Sequence, residues 1–492
     1  MSNISIMILA PLLLFTFITT LVGIWRLNWA YIAAVIGMAL ALIAAGVGLF
    51  QVLNEGTLRH FLGGWPPPFG IEYMLDNLSA FMAIIVIFIG LIAVIYPPVA
   101  GLYTKPRKGV PMYGLLMLLI AGLVGVVITG DLFNLFVFLE IYSLASYALI
   151  TLGGDRAMVA SFRYLILGTI AGSFYLLGVG FIYFSTGTLN MADAAQLLPA
   201  IYDSPAVMAA AALIVIGMGI KMALFPLHVW LPDAHSYAPP VIAAVLAAIQ
   251  IEVAAYVIIR MLLTVFQPHY FYEVLPVAAI IGWVSAAGII FGSVMAIAQK
   301  DFKRMLAYST VAQVAYIGLG IGLANPLGLI GGLLHILNHA FMKCGLFLVA
   351  GAIRYQTGLH EIHRFAGLGR KMPLVMAAFT VAALSMIGIP PTGGFFSKWY
   401  LILGSIDAQN WVFVAVIAAS SLLTAVYFFR MIEKIFAAPS SGEKAVEQAR
   451  EPGASILIPI LTLAVGIIVL GLFNAYIVTH VLLPIVAPLQ SG

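Results

Sequence analysis

Charge is scarce in this chain. Of 492 residues only 8% are Asp, Glu, Lys or Arg, where a soluble domain carries about a quarter. Apolar residues make up 63% and the mean hydropathy is +1.12. That composition excludes a water-soluble fold and makes the chain a polytopic membrane protein. Cysteine is almost missing. Cys344 stands alone, so a disulfide framework is excluded, and with it a cysteine-held metal or iron–sulfur centre. There is no haem spacing and no nucleotide fingerprint. The chain therefore reads as having no metal site, no cofactor and no catalytic centre of its own, and not as an enzyme. The formal charge of +4 lies in loops and is not a nucleic-acid signature. The N-terminal stretch MSNISIMILAPLLLFTFITTLVGIW lacks a basic n-region and a small-residue cleavage site, and reads as a retained first helix.

What is present is a series of long apolar runs. A spanning helix needs about 20 apolar residues. On that rule helices fall near 4–25, 29–53, 76–99, 112–129, 131–152, 160–184, 205–226, 239–264, 275–298, 303–324, 326–352, 373–404, 410–434 and 454–477, fourteen in all. The fold class is all-α and polytopic. The seventh and twelfth helices run long and are interrupted by Pro or Gly. Segments 188–198 and 360–368 read as interfacial helices or loops.

The basic residues alternate between connections. Odd-numbered ones hold Arg26; Lys105, Arg107 and Lys108; Arg156 and Arg163; Lys300, Lys303 and Arg304; Arg354, Arg364, Arg370 and Lys371; and Arg430, Lys434, Lys444 and Arg450. Even-numbered ones hold only Arg59 and Arg260. The positive-inside rule puts the odd connections in the cytoplasm and both termini on the external side of the cell (inner) membrane. The long polar segment 437–452 reads as cytoplasmic and mobile.

The chain also repeats itself. FYLLGVGFIYFSTG, from Phe174, aligns with GLFLVAGAIRYQTG, from Gly345, and Asp131 aligns with Asp301 at nearly the same offset. The interrupted helix with Lys221 then aligns with the interrupted helix IPPTGGFFSKWY with Lys398. Helices four to eight and nine to thirteen read as two five-helix units. An odd helix number inverts the second unit, and paired broken helices in such an inverted repeat point to a transport path. The chain divides into an N-terminal three-helix segment (1–110), a first repeat (111–265), a second repeat (266–436), the loop 437–452 and a C-terminal helix (453–492).

Residues 217–240 concentrate the chemistry. There GIKMALFPLHVWLPDAHSYAPP places Lys221 inside an apolar run, followed by Pro226, His228, Trp230, Pro232, Asp233 and His235. Lipid tolerates neither a stray ammonium nor a broken helix unless protein or water surrounds both. Other charges stand at mid-depth. Glu140 and Glu252 are central in their helices. His335, His339 and Lys343 recur at i, i+4 and i+8, and Lys398 follows the second break. They define a polar line across the protein in the membrane plane. His228 and His235 serve either the path or the break itself. A lysine that a nearby carboxylate can approach and leave is a proton switch, and histidines bridge the gaps because they titrate near neutral pH. Glu252 at mid-bilayer must be protonated or paired, with Lys221, His335 or His339 as partner.

These stretches carry a resemblance. KMALFPLHVWLPDAHSYAPP, FVFLEIYSLASYALI around Glu140, QKDFKRMLAYSTVAQVAYIGL, LNHAFMKCGLFLVAG and IPPTGGFFSKWY resemble the antiporter-like subunits shared by respiratory complex I, membrane-bound hydrogenases and Mrp-type multisubunit cation/proton antiporters. The resemblance spans nearly the whole chain, and within the family it leans to the D-type component of the Mrp antiporters. It implies that Glu140 and Lys221 are the essential pair, and that His335, His339, Lys343 and Lys398 continue the path. It further implies a lipid-embedded protein that works only with other subunits of an antiporter complex, moving protons in exchange for a monovalent cation such as Na+. The alternative is the pump module of a redox-driven complex. One departure stands out. Where the family carries a lysine in a pattern like LLKxGxYxxxR, this chain reads IQIEVAAYVIIR, with Glu252 at the lysine position and Tyr256 and Arg260 in register.

Overall fold

A backbone in lipid must satisfy its hydrogen bonds internally, so apolar runs this long become helices. The computed structural model describes residues 3–96, 106–437 and 442–489. Lys105, the side chains of Arg107 and Lys108, the 97–99 end of the expected third helix and positions 438–441 of the polar loop lie outside the described residues. Among the described residues twelve helices are long and apolar enough to cross a membrane. They are α1 (Ile4–Trp25), α2 (Leu27–Glu55), α3 (Asn77–Ile95), α4 (Pro106–Ile128), α5 (Leu132–Thr151), α6 (Asp155–Thr186), α9 (Pro240–Val265), α10 (Val277–Ile297), α11 (Phe302–Gly322), α12 (Pro326–Thr357), α15 (Trp411–Phe436) and α16 (Ala454–Leu472). The two helices expected to be interrupted are each resolved into two shorter pieces. The stretch 205–226 becomes α7 (Pro205–Lys221), followed after a break by α8 (Leu231–Tyr237). The stretch 373–404 becomes α13 (Pro373–Ile387) and α14 (Gly393–Asp407).

Helix α9 is the axis of the packing. Its apolar stretch is wholly enclosed, whereas α1, α2 and α15 leave most of theirs open. A glutamate on α9 therefore has only protein to answer it. Two π-helical turns, Leu246–Gln250 and Met261–Val265, bracket its α-helical middle, Ile251–Arg260.

The stretches aligned in the sequence share local geometry. Asp131 and Asp301 cap the starts of α5 and α11, accepting from the backbone N–H of Asn134 at 2.6 Å and of Arg304 at 2.8 Å. Each start also makes a two-bond bridge to the chain beyond the helix that follows it. Leu132 donates to Leu189 O and Met191 to Gly130 O; Phe302 donates to His360 O and Ile362 to Lys300 O. The helices between, α6 and α12, are 32 residues each and both end on a left-handed glycine, Gly187 (φ 74°) and Gly358 (φ 69°).

Several details differ from the expectation. An antiparallel hairpin, β1 (Leu58–Phe61) and β2 (Glu72–Leu75), fills a connection that read as loop. It is pinned because buried Glu72 accepts from Asn190 Nδ2 at 2.6 Å and from Gly130 N at 2.9 Å through its carbonyl. The last helix stops at Leu472 and not near 477. A second apolar helical segment, Asn474–Leu489, follows it. Within 188–198 there is a short helix, Met191–Leu197, and 360–368 holds a single 3-10 turn, Ile362–Arg364. The described part of 437–452 is tied down and not free. Arg364 donates to both Glu443 oxygens at 2.8 and 2.9 Å, and Glu451 accepts from Leu374 N at 2.5 Å.

Candidate proton path

On α5 the residues at i+3 and i+7 from Glu140 are Ser143 and Tyr147, which makes one polar stripe on an apolar helix. Opposite it, α6 presents Gly168 and Gly172. A Cβ at Gly172 would collide with Glu140 Oε1, and one at Gly168 with the Tyr147 hydroxyl. Glycine is what leaves the stripe a slot. Lys221, the last residue of α7, is 1% exposed and enters this slot. Its Nζ donates to Ser143 Oγ at 2.6 Å and to Tyr147 OH at 3.5 Å, and lies 5.6 Å from the centre of the Tyr142 ring. Glu140 Oε1 has no hydrogen-bond partner among the described residues. The pair is thus held apart, the ammonium on neutral hydroxyls and the carboxylate about one helical turn away.

The break after Lys221 mixes one satisfied group with unpartnered histidines. Trp230 Nε1 donates to Ile220 O at 2.8 Å, and its ring stacks on Tyr164 at 3.8 Å. His235 on α8 is fully buried, lies edge-on to Trp230 and Phe347, and leaves both ring nitrogens without a partner. His228 packs against Phe225 and Phe291 and is not brought to the line of charges. Arg163 and Arg304 hold Asp233 of α8 at 3.0 and 3.4 Å.

Across the middle, the Tyr147 ring meets Tyr164 edge-on at 4.8 Å, and Tyr164 OH is hydrogen-bonded by Gln250 Nε2 of α9. Two residues on, Glu252 meets the second half. Its Oε1 lies 2.6 Å from His339 Nδ1, both side chains are 0% exposed, and Glu252 Oε2 has no partner. Of the three partners open to Glu252, the structure selects His339. The His339 and His335 rings stack at 5.9 Å, and His335 Nδ1 contacts Ser397 Oγ at 2.9 Å. Ser397 precedes Lys398, whose Nζ donates to Met386 O at 2.9 Å, Ile387 O at 3.0 Å and Ser421 Oγ at 3.2 Å. Those carbonyls end α13, where the helix dipole favours a cation. Lys343 is buried too, but it turns toward α11, donating to Leu306 O at 2.9 Å and to Ser309 Oγ.

Two basic residues assigned to loops from sequence are buried. Arg260 is 2% exposed and forms an ion pair with Asp76, and Lys303 is 5% exposed and donates to Ala238 O at 2.5 Å. The signal for Arg260 was its spacing, eight residues from Glu252. The hydroxyls that hold the lysines, Ser143, Tyr147, Ser309 and Ser421, and Ser397, which contacts His335, were also missed. Ser143 and Tyr147 were legible as helical neighbours of Glu140; Ser309 and Ser421 come from distant helices and gave no signal.

Residues 129–424 match the family described as "NADH:quinone oxidoreductase/Mrp antiporter, TM". The chain is 53% identical over 464 residues to the N component of an NADH-quinone oxidoreductase from Desulforudis audaxviator (strain MP104C), covering 91% of each chain. It is 34% identical over 443 residues to the D component of a Na(+)/H(+) antiporter from Alkalihalophilus pseudofirmus, covering 89% of this chain and 87% of that one. Among solved structures, a chain of the Mrp complex from Dietzia sp. DQ12-45-1b superposes with a TM-score of 0.89 at 27% identity, over 100% of this chain and 98% of the other.

Proposed function

Because the chain belongs to the NADH:quinone oxidoreductase/Mrp antiporter family of transmembrane subunits, we propose that it carries protons along the line of half-buried Glu140 and buried Lys221, Glu252, His339, His335 and Lys398. It does so as one subunit of a multisubunit monovalent cation (Na+)/proton antiporter. The observation that carries this reading is the divided pair: Lys221, docked on Ser143 and Tyr147, with Glu140 one turn away and its Oε1 without a hydrogen-bond partner among the described residues. An ammonium on neutral hydroxyls can lose its proton; the same ammonium beside a carboxylate keeps it. Movement of Lys221 between the two sites couples its protonation to the geometry of the broken helix. His235 and Lys343 flank the line, and His228 serves the break.

The reading includes fourteen crossings, counting α7–α8 and α13–α14 as one each, with both termini on the external side of the cell membrane. It divides the chain at 1–110, 111–265, 266–436, 437–452 and 453–492. The matched caps and bridges at Asp131 and Asp301 support two five-helix units in opposite orientation.

A second reading is favoured by one finding, the 53% identity to a protein named as a quinone oxidoreductase subunit. On that reading the same line is the pump module of a redox-driven complex. Affinity purification from native membranes separates the two. Small membrane subunits alone, with Na+-dependent proton exchange after reconstitution, support the antiporter; co-purifying iron–sulfur subunits and no cation-driven exchange overturn it.

A further inference from the structure

Glu252 begins a second series of groups that runs away from the line of charges. On the middle segment of α9, Glu252, Tyr256 and Arg260 stand at i, i+4 and i+8, all on one face and 0%, 0% and 2% exposed. Each step is about 6 Å along the axis. The segment lies between two π-helical turns, a feature frequent at functional sites. The Tyr256 hydroxyl donates to Val127 O at 2.6 Å and accepts from Arg260 Nε at 3.0 Å and Nη2 at 2.9 Å. The same Nη2 donates to Asp76 Oδ1 at 2.8 Å, and Nη1 donates to Asp76 Oδ2 at 2.5 Å and to Thr264 Oγ1 at 3.2 Å. Tyrosine oxygen and carboxylate oxygen thus share one guanidinium nitrogen, which brings them about one water apart. Asp76 and Arg260 line a cavity of about 170 Å³, together with Thr57, Thr264, Pro484 and Ile485. Asp76 keeps 23% of its side chain exposed, so the cavity meets the aqueous face. At the other end, Glu252 Oε2 is buried with no partner among the described residues.

We propose that this face of α9 is the second limb of the proton path, joining mid-depth Glu252 to the aqueous cavity, with the Tyr256 hydroxyl as its carrier and the Arg260–Asp76 ion pair as its gate. The proposal rests on the proton-carrying reading above. When Arg260 swings off the Tyr256 oxygen and frees one of its lone pairs, a proton leaves Glu252 through water to that oxygen, while the tyrosine's own proton leaves Val127 O and passes to water against Asp76. The hydroxyl ends as it began and carries no net charge. Protonation neutralises Asp76 and loosens Arg260, after which Asp76 returns the proton to the aqueous phase and the pair closes. A closed ion pair keeps a fixed cation across the limb and stops it from leaking. The two ends of this cavity, the start of α3 and the end of α9, belong to even-numbered connections, so the limb opens on the face proposed as external.

This chain has a single native cysteine, Cys344, and the complex with Cys344→Ala alone is the control for labelling of other subunits. In a Cys344→Ala background, Thr264→Cys is introduced into the whole complex, reconstituted, and treated with a membrane-impermeant cationic methanethiosulfonate reagent in vesicles of each orientation. The expected result is modification from the cavity's face, an at least tenfold fall in proton exchange, and recovery when a reductant removes the adduct. Thr57→Cys, at the cavity rim, serves if Thr264→Cys fails to assemble. Tyr256→Phe should lower exchange at least tenfold in an assembled complex. Modification without loss of exchange, no modification from either side, or wild-type rates in Tyr256→Phe would each overturn the limb while leaving the line of charges standing. An unsubstituted complex that moves no protons overturns the limb and the reading beneath it together.

Discussion

The two broken helices each deliver one buried lysine, yet the two lysines are held differently. Lys221 is docked on side chains, Ser143 and Tyr147, with the Glu140 carboxylate one turn away. Lys398 is docked on backbone, the last two carbonyls of α13, with only Ser421 as a side-chain acceptor. A side-chain cradle with a rival carboxylate offers two positions. Carbonyls fixed by a helix end offer one. The first lysine is therefore suited to switching and the second to holding charge at a fixed place. The glycines differ in the same sense: Gly168 and Gly172 open a slot around the stripe of α5, whereas Gly388 bends the chain at φ 94° to reach Lys398.

The largest expected effect tests that contrast directly. Glu140→Ala and Lys221→Ala should each abolish exchange in everted vesicles, a fall of roughly a hundredfold or more, the scale of a positioned proton-transfer group. Lys398→Arg, which keeps a cation on the same carbonyls, should retain measurable exchange where Lys221→Arg does not. Blue-native gels must show an assembled complex in every case. Near-normal exchange by Glu140→Ala or Lys221→Ala removes the pair from the mechanism, and equal loss in both arginine variants removes the distinction between the lysines.

Next comes the joint between the halves. Glu252→Gln keeps size and one hydrogen bond to His339 but removes the ionisable group, and should lower exchange by about tenfold or more. Glu252→Lys restores the usual family residue. Here it sets an ammonium against His339 in a fully buried site, so it should impair exchange further and reduce assembly. Wild-type exchange by Glu252→Gln at all pH values would make Glu252 a structural group.

The alternation of apolar and basic stretches, the two breaks and the charges set inside apolar runs were all legible in the sequence, because lipid penalises each exception to apolarity and so every exception is informative. Partner choice was less legible. Glu252 could face Lys221, His335 or His339 on helix order alone; only the packing of α9 against α12 decides for His339. Arg260 and Lys303 read as loop charges because each stands near a helix end. The structure folds them inward, onto Asp76 and onto the carbonyl of Ala238. The hairpin β1–β2 was hidden because its strands are four residues long and one of them, Glu72–Leu75, is buried throughout, which erases the alternation that marks a strand.

A third pair of variants separates the two sites by the kind of damage. Gly172→Ala drives a methyl into Glu140 Oε1, at the end of a side chain that can move. It should displace the carboxylate and lower exchange several-fold, with thermal stability little changed. Gly388→Ala forces an L-residue to φ 94° and crowds Lys398 Cδ at 3.1 Å. It should cost about 1 kcal/mol or more in stability, read as a lower unfolding temperature of the purified complex. The reverse pattern would place the switch at the second break.

The smallest effect is also the most direct probe of the two cradles. Ser143→Ala removes the nearer of the two hydroxyl acceptors of Lys221 and leaves Tyr147 OH at 3.5 Å. A hydrogen bond to a charged group contributes about 1.5–3 kcal/mol, so the docked position should lose at least about a factor of ten in population to the position near Glu140. Ser421→Ala removes the longest of the three contacts of Lys398 and leaves both carbonyls, at 2.9 and 3.0 Å. Its lysine has nowhere else to go. Exchange should therefore fall several-fold in Ser143→Ala and less than twofold in Ser421→Ala. The double variant Ser143→Ala with Glu140→Gln makes the argument sharper. If Ser143 acts by competing with Glu140 for one ammonium, then once the carboxylate is gone the serine has no rival to balance, and its removal should add little to the loss caused by Glu140→Gln alone. Additive losses would mean that Ser143 holds Lys221 for packing only, and that the divided pair is an accident of one conformation and not the two ends of a switch.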